Sequence, residues 1–292
     1  MQLFIQLTLS GLTNGAVYAL VALGLVLIFK STDVINFAQG EFLLVGAYVA
    51  FMTIGQWGLP WPIGVVITLL IGVAIAVAVE RFILRRMIGE PIISVIMVTI
   101  GLSSIMHAVI LGIWGPDPQS FPSFLPSSPL NIFGATVGAD RLWALIVAIV
   151  LLGAFTVFFQ RSGVGIALRA VADDQQAAMS MGIPIRRIFA VAWSIAAITA
   201  GIAGIIAANI LGVSGDVANL GLRVFPVVIL GGLDSLPGAI VGGIIIGLLE
   251  QYAGAYTPPV LGLSSVIPFV ALIVILMVRP YGLFGQRRIE RV

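Results

Sequence analysis

Polar side chains able to do chemistry are few in this chain, and most interrupt long apolar runs. Asn36, Gln39 and Glu41 stand together between two such runs, and Asn14 lies inside the first. Thr99, Ser103, Ser104 and His107 share a later one, and Glu250 sits in another. In hydrocarbon an unpartnered polar group is costly, so such residues must face protein or a water-filled path. Asn36, Gln39 and Glu41 therefore have two readings: they line a solute route or gate, or they cap a helix and bridge its neighbours. His107 beside Ser103 and Ser104 reads either as a proton relay or as a hydrogen-bonded packing residue. Thr99, Ser103 and Ser104 equally suit helix–helix contacts. Only Asp33, Glu41 and Glu250 could serve an ion-coupled mechanism.

Other chemistry is excluded more directly. There is no Cys and only one His, so thiolate chemistry is absent and no cluster has metal-ligand spacing. The only Lys, Lys30, follows Phe29 rather than the Gly of a phosphate-binding loop. Gly212-Val213-Ser214-Gly215 is not the strand–Ser–helix elbow of a hydrolase. With no credible nucleophile–base pair, the chain is expected to be no enzyme, to hold no metal and to need no cofactor.

The elements that position these residues are membrane helices. Residues are 60% hydrophobic and 9% charged, with a mean hydropathy of +1.17, whereas soluble domains carry about 25% charged residues. Stretches free of charge and long enough to cross a bilayer recur at 3–29, 42–79, 91–116, 142–160, 188–215 and 251–278. The first is too long for a cleaved signal peptide and lacks its cleavage site, so it reads as a span. Helices are expected over 8–29, 42–54, 63–82, 92–113, 142–159, 188–211 and 266–277. Residues 222–252 divide at Gly231-Gly232-Leu233-Asp234-Ser235-Leu236-Pro237 into a short and a longer piece. The fold class is therefore an all-α membrane protein of about eight transmembrane spans, one or two of them broken or re-entrant. A break near Gly231 and Gly232 could offer backbone dipoles to a polar solute. Gly11-x-x-x-Gly15, Gly238-x-x-x-Gly242 and Gly243-x-x-x-Gly247 predict close helix packing.

Charge placement sets the orientation. Arg81, Arg85 and Arg86 mark one loop, Arg161, Arg169, Arg186 and Arg187 a second, and Arg279, Arg287, Arg288 and Arg291 the tail. The positive-inside rule puts these in the cytoplasm and the Pro-rich stretch 115–140 outside, with the amino terminus also outside. Because the excess positive charge lies at helix ends, it indicates a lipid bilayer and no nucleic acid. Trp57 and Trp61 flank Gly58, Pro60 and Pro62 in an expected interfacial turn.

The loop 161–187 is the longest segment of mixed polarity. Residues 165–181 read as one short helix, with Ala170, Ala177, Ala178 and Met181 on an apolar strip and a stop at Gly182 and Pro184. Such a helix rests on the membrane or on its own protein, or it docks a partner.

Four motifs carry two family resemblances. Gln176-Ala177-Ala178-Met179-Ser180-Met181-Gly182 resembles the EAA-x-x-x-G loop of ABC importer permeases, with Gln for the usual Glu. Asn14-Gly15-Ala16-Val17-Tyr18-Ala19-Leu20, Asn36-Phe37-Ala38-Gln39-Gly40-Glu41-Phe42 and Phe225-Pro226-Val227-Val228-Ile229-Leu230-Gly231-Gly232 together resemble permeases of high-affinity branched-chain amino-acid importers, the LivH type. The resemblance implies a single permease domain over 1–292 in the bacterial inner (cytoplasmic) membrane. It implies a cytoplasmic coupling loop at 161–187, with Arg169, Asp174, Gln176, Ala177, Ala178, Gly182 and Pro184 meeting an ATPase. Implied partners are a paralogous permease or a second copy, two ATP-binding-cassette ATPases and a periplasmic binding protein touching 115–140 and 254–264. Along the substrate path it suggests Asn14, Asn36, Gln39, Glu41, Thr99, Ser103, Gly231 and Gly232. Relatives importing urea, short amides or aromatic acids leave the substrate open, and an ion-coupled transporter remains the alternative.

Overall fold

A computed structural model describes residues 1–87, 89–126, 128–132, 135–258 and 262–285. Helix α1 (Gln2–Thr32) is its axis, and every residue from 15 to 28 is buried. A helix apolar all round belongs inside a bundle, and α1 is enclosed by α5 (Ala139–Arg161), α8 (Ile185–Leu211), α9 (Asn219–Gly231) and α10 (Leu236–Tyr256). Two further helices, α3 (Trp61–Phe82) and α4 (Ile92–Trp114), and also α5, bury one stripe each and turn their other faces outward. The α3 stripe runs Gly64, Thr68, Gly72, Ala76, Val79, one residue per helical turn. Among the described residues six helices are long and apolar enough to cross a membrane, and α11 (Leu263–Val278) is a shorter apolar one.

Close approach depends on glycine. A Cβ on Gly15 would lie 2.7 Å from the Gly243 carbonyl oxygen, and one on Gly243 would lie 2.6 Å from that of Gly15. Gly11 and Gly247 meet in the same way a turn further on, so the two spaced glycine pairs form one α1–α10 seam. Gly238 and Gly242 serve the α9–α10 contact instead.

The broken elements occupy two places. Helix α2 (Gln39–Ala50) begins inside the bundle, level with Gly24, where all of its residues are buried. It continues as a π-helical stretch (Phe51–Gln56) to Trp57. Helix α9 comes after a 3₁₀ turn (Gly215–Ala218) and also begins at depth, for Gly221 lies against Gly40. The expected division of 222–252 is thus found as α9 and α10, joined by a turn at 232–235.

Two expectations need correction. Residues 165–181 are not one helix but two, α6 (Gly163–Asp173) and α7 (Gln175–Ser180). Asp174 adopts an extended conformation and its carboxylate accepts hydrogen bonds from the Gln176 and Ala177 amides, which starts a new helix. The Pro-rich stretch, read as loop, contains an antiparallel hairpin of β1 (Pro129–Ile132) and β2 (Ala135–Gly138). It is tied to the bundle by a Gln119–Val213 bridge and by Asn209, which accepts from the Phe124 amide.

The basic residues gather at the end where α1 finishes. Leu27 packs with Phe159, Leu168, Ala178, Ile188 and Phe189, so α5 ends and α8 begins there. Arg85 shares a recess with Thr32 and Gln175, while Phe284 shares another with Lys30 and Arg169. Arg287, Arg288 and Arg291 lie outside the described residues.

The seam makes a prediction. Gly243→Val should destabilise the folded protein by about 1–3 kcal/mol through overpacking. Gly153→Val, where an added Cβ meets nothing within 4 Å, should leave it unchanged. Thermal unfolding in detergent of both variants checks this, and equal midpoints would refute it.

Candidate functional site

The sequence between α1 and α2 must turn back into the bundle without leaving backbone groups unpaired. Asp33 ends α1 in the left-handed conformation (φ 55°), and residues 34–38 run back beside α1 and α4. Asn36 caps the return. Its Oδ1 accepts from the Ala38 amide at 3.0 Å, and its Nδ2 donates to Gln39 Oε1 at 3.2 Å. Gln39 Nε2 in turn donates to the Ala196 carbonyl at 3.3 Å. Both side chains are fully buried and their hydrogen bonds stay within the protein.

Helix α4 closes this segment with a polar stripe. Thr99 accepts from the Phe37 amide at 3.4 Å and donates to the Ile96 carbonyl at 2.8 Å. One turn on, Ser103 donates to Glu41 Oε1 at 3.2 Å, and one turn further His107 Nδ1 lies 3.2 Å from Glu41 Oε2. Five residues expected on a path, Asn36, Gln39, Glu41, Thr99 and Ser103, thus form with His107 a polar band. Phe37 stacks on Phe225 of α9 at 4.7 Å between ring centroids, which binds the band to the second half-helix.

Gly231 and Gly232 lie elsewhere. They close α9 at the basic end, where the Gly231 carbonyl accepts from Phe284 and that of Gly232 from Ser235. Gly232 has φ 109°, and Gly285 packs directly on it. These carbonyls are therefore engaged by the chain itself in this conformation.

Asn14 borders a separate cavity of about 480 Å³ among α1, α8, α9, α10 and α11. Its charged wall was not apparent from sequence. Tyr18 donates to Glu250 Oε2 at 2.6 Å, and Arg223 forms an ion pair with Glu250 Oε1. The available signal was Arg223 itself, a guanidinium in an apolar region that required a partner.

At the basic end, of the residues expected to meet an ATPase, Asp174, Gln176, Ala177, Gly182 and Pro184 are exposed, Arg169 is half-buried and Ala178 is buried. Arg169 donates to the Phe159 and Gln160 carbonyls and lies over the Phe159 ring, completing the end of α5. Ala178 is buried against Val171 and Ile188. Gly182, at φ 82°, donates to the Met179 carbonyl, and Pro184 precedes α8. Gln176, Ala177, Met179 and Met181 are exposed, Met181 by 83%.

The class these features define is a multi-helix membrane protein whose half-helices start within the bundle. The fold is similar to that of PsaBC from Streptococcus pneumoniae in complex with Fab, with a TM-score of 0.50 and 17% identity over 94% of this chain and 91% of that one. A family model described as the permease component of the branched-chain amino acid transport system matches residues 7–276. The chain is similar to the high-affinity branched-chain amino acid transport permease LivH of Escherichia coli (strain K12), 30% identical over 303 residues and covering 99% of this chain and 98% of that one. It is also similar to BraD of Pseudomonas aeruginosa, 27% identical over 305 residues with 99% and 98% covered. The chain belongs to this family of branched-chain amino acid transport permeases. It is a multi-pass transport subunit of the bacterial inner (cytoplasmic) membrane.

The cap at Asn36 is testable. Asn36→Ala leaves the Ala38 amide without its acceptor and should cost about 1 kcal/mol. Hydrogen exchange should quicken at residues 38–42 while α10 stays protected, and unchanged exchange at α2 would refute the cap.

Proposed function

We propose that this chain is the membrane-spanning permease of an ATP-driven importer for branched-chain amino acids. The observation that carries the coupling assignment is α7: a short helix at the basic end with Gln176, Ala177, Met179 and Met181 exposed and Ala178 anchored inside. Small residues at such a surface allow close approach of a partner, and exposed apolar ones favour its binding. The names of the relatives, high-affinity branched-chain amino acid permeases, support the substrate.

On this reading 161–187 is the cytoplasmic coupling loop and 115–140 the extracytoplasmic face within a single domain spanning 1–292. Two ATP-binding-cassette ATPases take α7, and a second permease, paralogous or identical, completes the path. A periplasmic binding protein delivers substrate at 115–140 and 254–264, of which 259–261 lie outside the described residues. Gln176 and Ala177 meet the ATPase, while Arg169, Asp174, Ala178, Gly182 and Pro184 hold α7 in place. Movement of α7 reaches α1 and α8 through Ala178, Leu27 and Ile188. Along the path, Asn14 borders substrate and Glu41 with Ser103 gates it. Asn36, Gln39, Thr99, Gly231 and Gly232 hold the half-helix ends beside it.

Co-purification from cells expressing the full importer tests the coupling assignment. The native chain should bring down an ATPase, and Ala177→Arg, at an exposed position that leaves the fold intact, should lower leucine-dependent ATP hydrolysis roughly tenfold or more by placing a charge in the interface. Undiminished hydrolysis in a correctly folded variant would reject α7 as the docking element.

A further inference from the structure

We infer that the Arg223–Glu250 pair, with Tyr18 and Asn14, is a station that recognises the zwitterionic head of an amino acid. The inference rests on the import reading and deepens it, by assigning the charged group of the substrate to named side chains.

The pair sits where a charge is expensive. Tyr18 and Glu250 are buried, Glu250 to 5% exposure, on helices that span the bundle. Ions at such depth are kept only when they have partners, and they mark solute pathways more often than they stabilise a fold. Here the pair is not sealed inside the packing. The Arg223 side chain is 32% exposed against 6% for Glu250, and both line the 480 Å³ cavity. That volume lies in the range of small-molecule sites, roughly 300–1,000 Å³.

Hydrogen-bond capacity remains on both ions. A guanidinium has five donors and a carboxylate about four acceptor positions. Arg223 spends one nitrogen on Glu250, while Glu250 accepts from Tyr18 on its other oxygen. An incoming carboxylate can therefore be held by the remaining edge of Arg223, and an incoming ammonium by Glu250 with the Asn14 carbonyl oxygen. Val17, Ile210 and Leu220 complete the wall for an aliphatic side chain.

The charge balance selects the ligand class. A zwitterion adds one charge of each sign beside an existing pair, so the site remains neutral. A lone anion or cation would leave an uncompensated charge at low dielectric. Urea and short amides carry no charge and gain little from the pair. The structure thus separates amino acids from amides.

Leucine uptake by cells carrying the complete importer provides the test, with the double variant Arg223→Gln/Glu250→Gln and the single variant Tyr18→Phe. The double variant keeps the site polar and neutral overall, Gln matching Glu in size and being shorter than Arg, so no ion is left unpaired and the chain should assemble with its ATPase as the native one does. Its uptake should fall about tenfold or more, and Tyr18→Phe should lower it to a smaller extent. For a readout without the binding protein, the native complex in lipid nanodiscs should bind radiolabelled leucine. Excess unlabelled leucine should displace it, whereas 4-methylpentanoate or isoamylamine, each lacking one charge, should not. Native-level uptake by a correctly assembled double variant overturns the inference, as does equal displacement by the singly charged analogues. If the double variant fails to assemble, the nanodisc competition decides alone. Absence of leucine uptake by the native importer would instead overturn the import reading, a separate outcome.

Discussion

The backbone of α1 lies against that of α10 at Gly15 and Gly243, and much of the molecule takes its position from that contact. Lipid chains are as apolar as leucine, so burial of apolar surface does not pull membrane helices together. Dispersion between closely approaching backbones must do it, and it requires the absence of Cβ atoms on both sides. The contact also sets the register of the polar residues further along each helix. The two helices run antiparallel, so Tyr18, three residues after Gly15, and Glu250, two turns after Gly243, lie on either side of the contact, and their side chains lean back toward it and bond directly. The charged wall of the cavity is therefore positioned by glycines that have no chemistry of their own.

Starting a helix inside a bundle leaves amide groups without partners. The chain solves this differently at its two internal starts. At α2 the Asn36 and Ala38 carbonyls take the Gln39, Glu41 and Phe42 amides, and side chains hold the return before them, Asn36 accepting from Ala38, Thr99 from Phe37, and Gln39 reaching across to α8. At α9 the backbone does it, through the 3₁₀ turn at Gly215–Ala218. Gly40 and Gly221 let the two starts touch, so the polar band and the cavity occupy adjacent parts of the interior.

Most helices were legible because a span must be apolar for its full length, whatever packs beside it. The division between α9 and α10 was legible too, since Gly231-Gly232 and Pro237 forbid a continuous helix. The split at Asp174 was not, because an aspartate within an alanine-rich stretch suits a helix or a cap equally well. The hairpin at 129–138 was hidden among prolines and lacks a sharp turn signal. The candidate site was half visible. The residues of 36–41 are neighbours in sequence, whereas Arg223 and Glu250 are 27 positions apart and Tyr18 is 232 from Glu250. Nothing in a single sequence announces such a meeting except the cost of leaving Arg223 alone.

The enclosure of α1 also has a mechanical side. A helix bordered by lipid can slide or tilt at small cost, because lipid flows to fill the space. Between residues 15 and 28, α1 is buried, bordered by protein and at Val17 and Tyr18 by the cavity, and its seam with α10 locks by shape. The two helices are locked into one strut, and on the proposed coupling a force at α7 would move that strut as a whole rather than bend it. Flexing is left to the joints, the residues at 33–38 and 212–218, where the chain enters its half-helices.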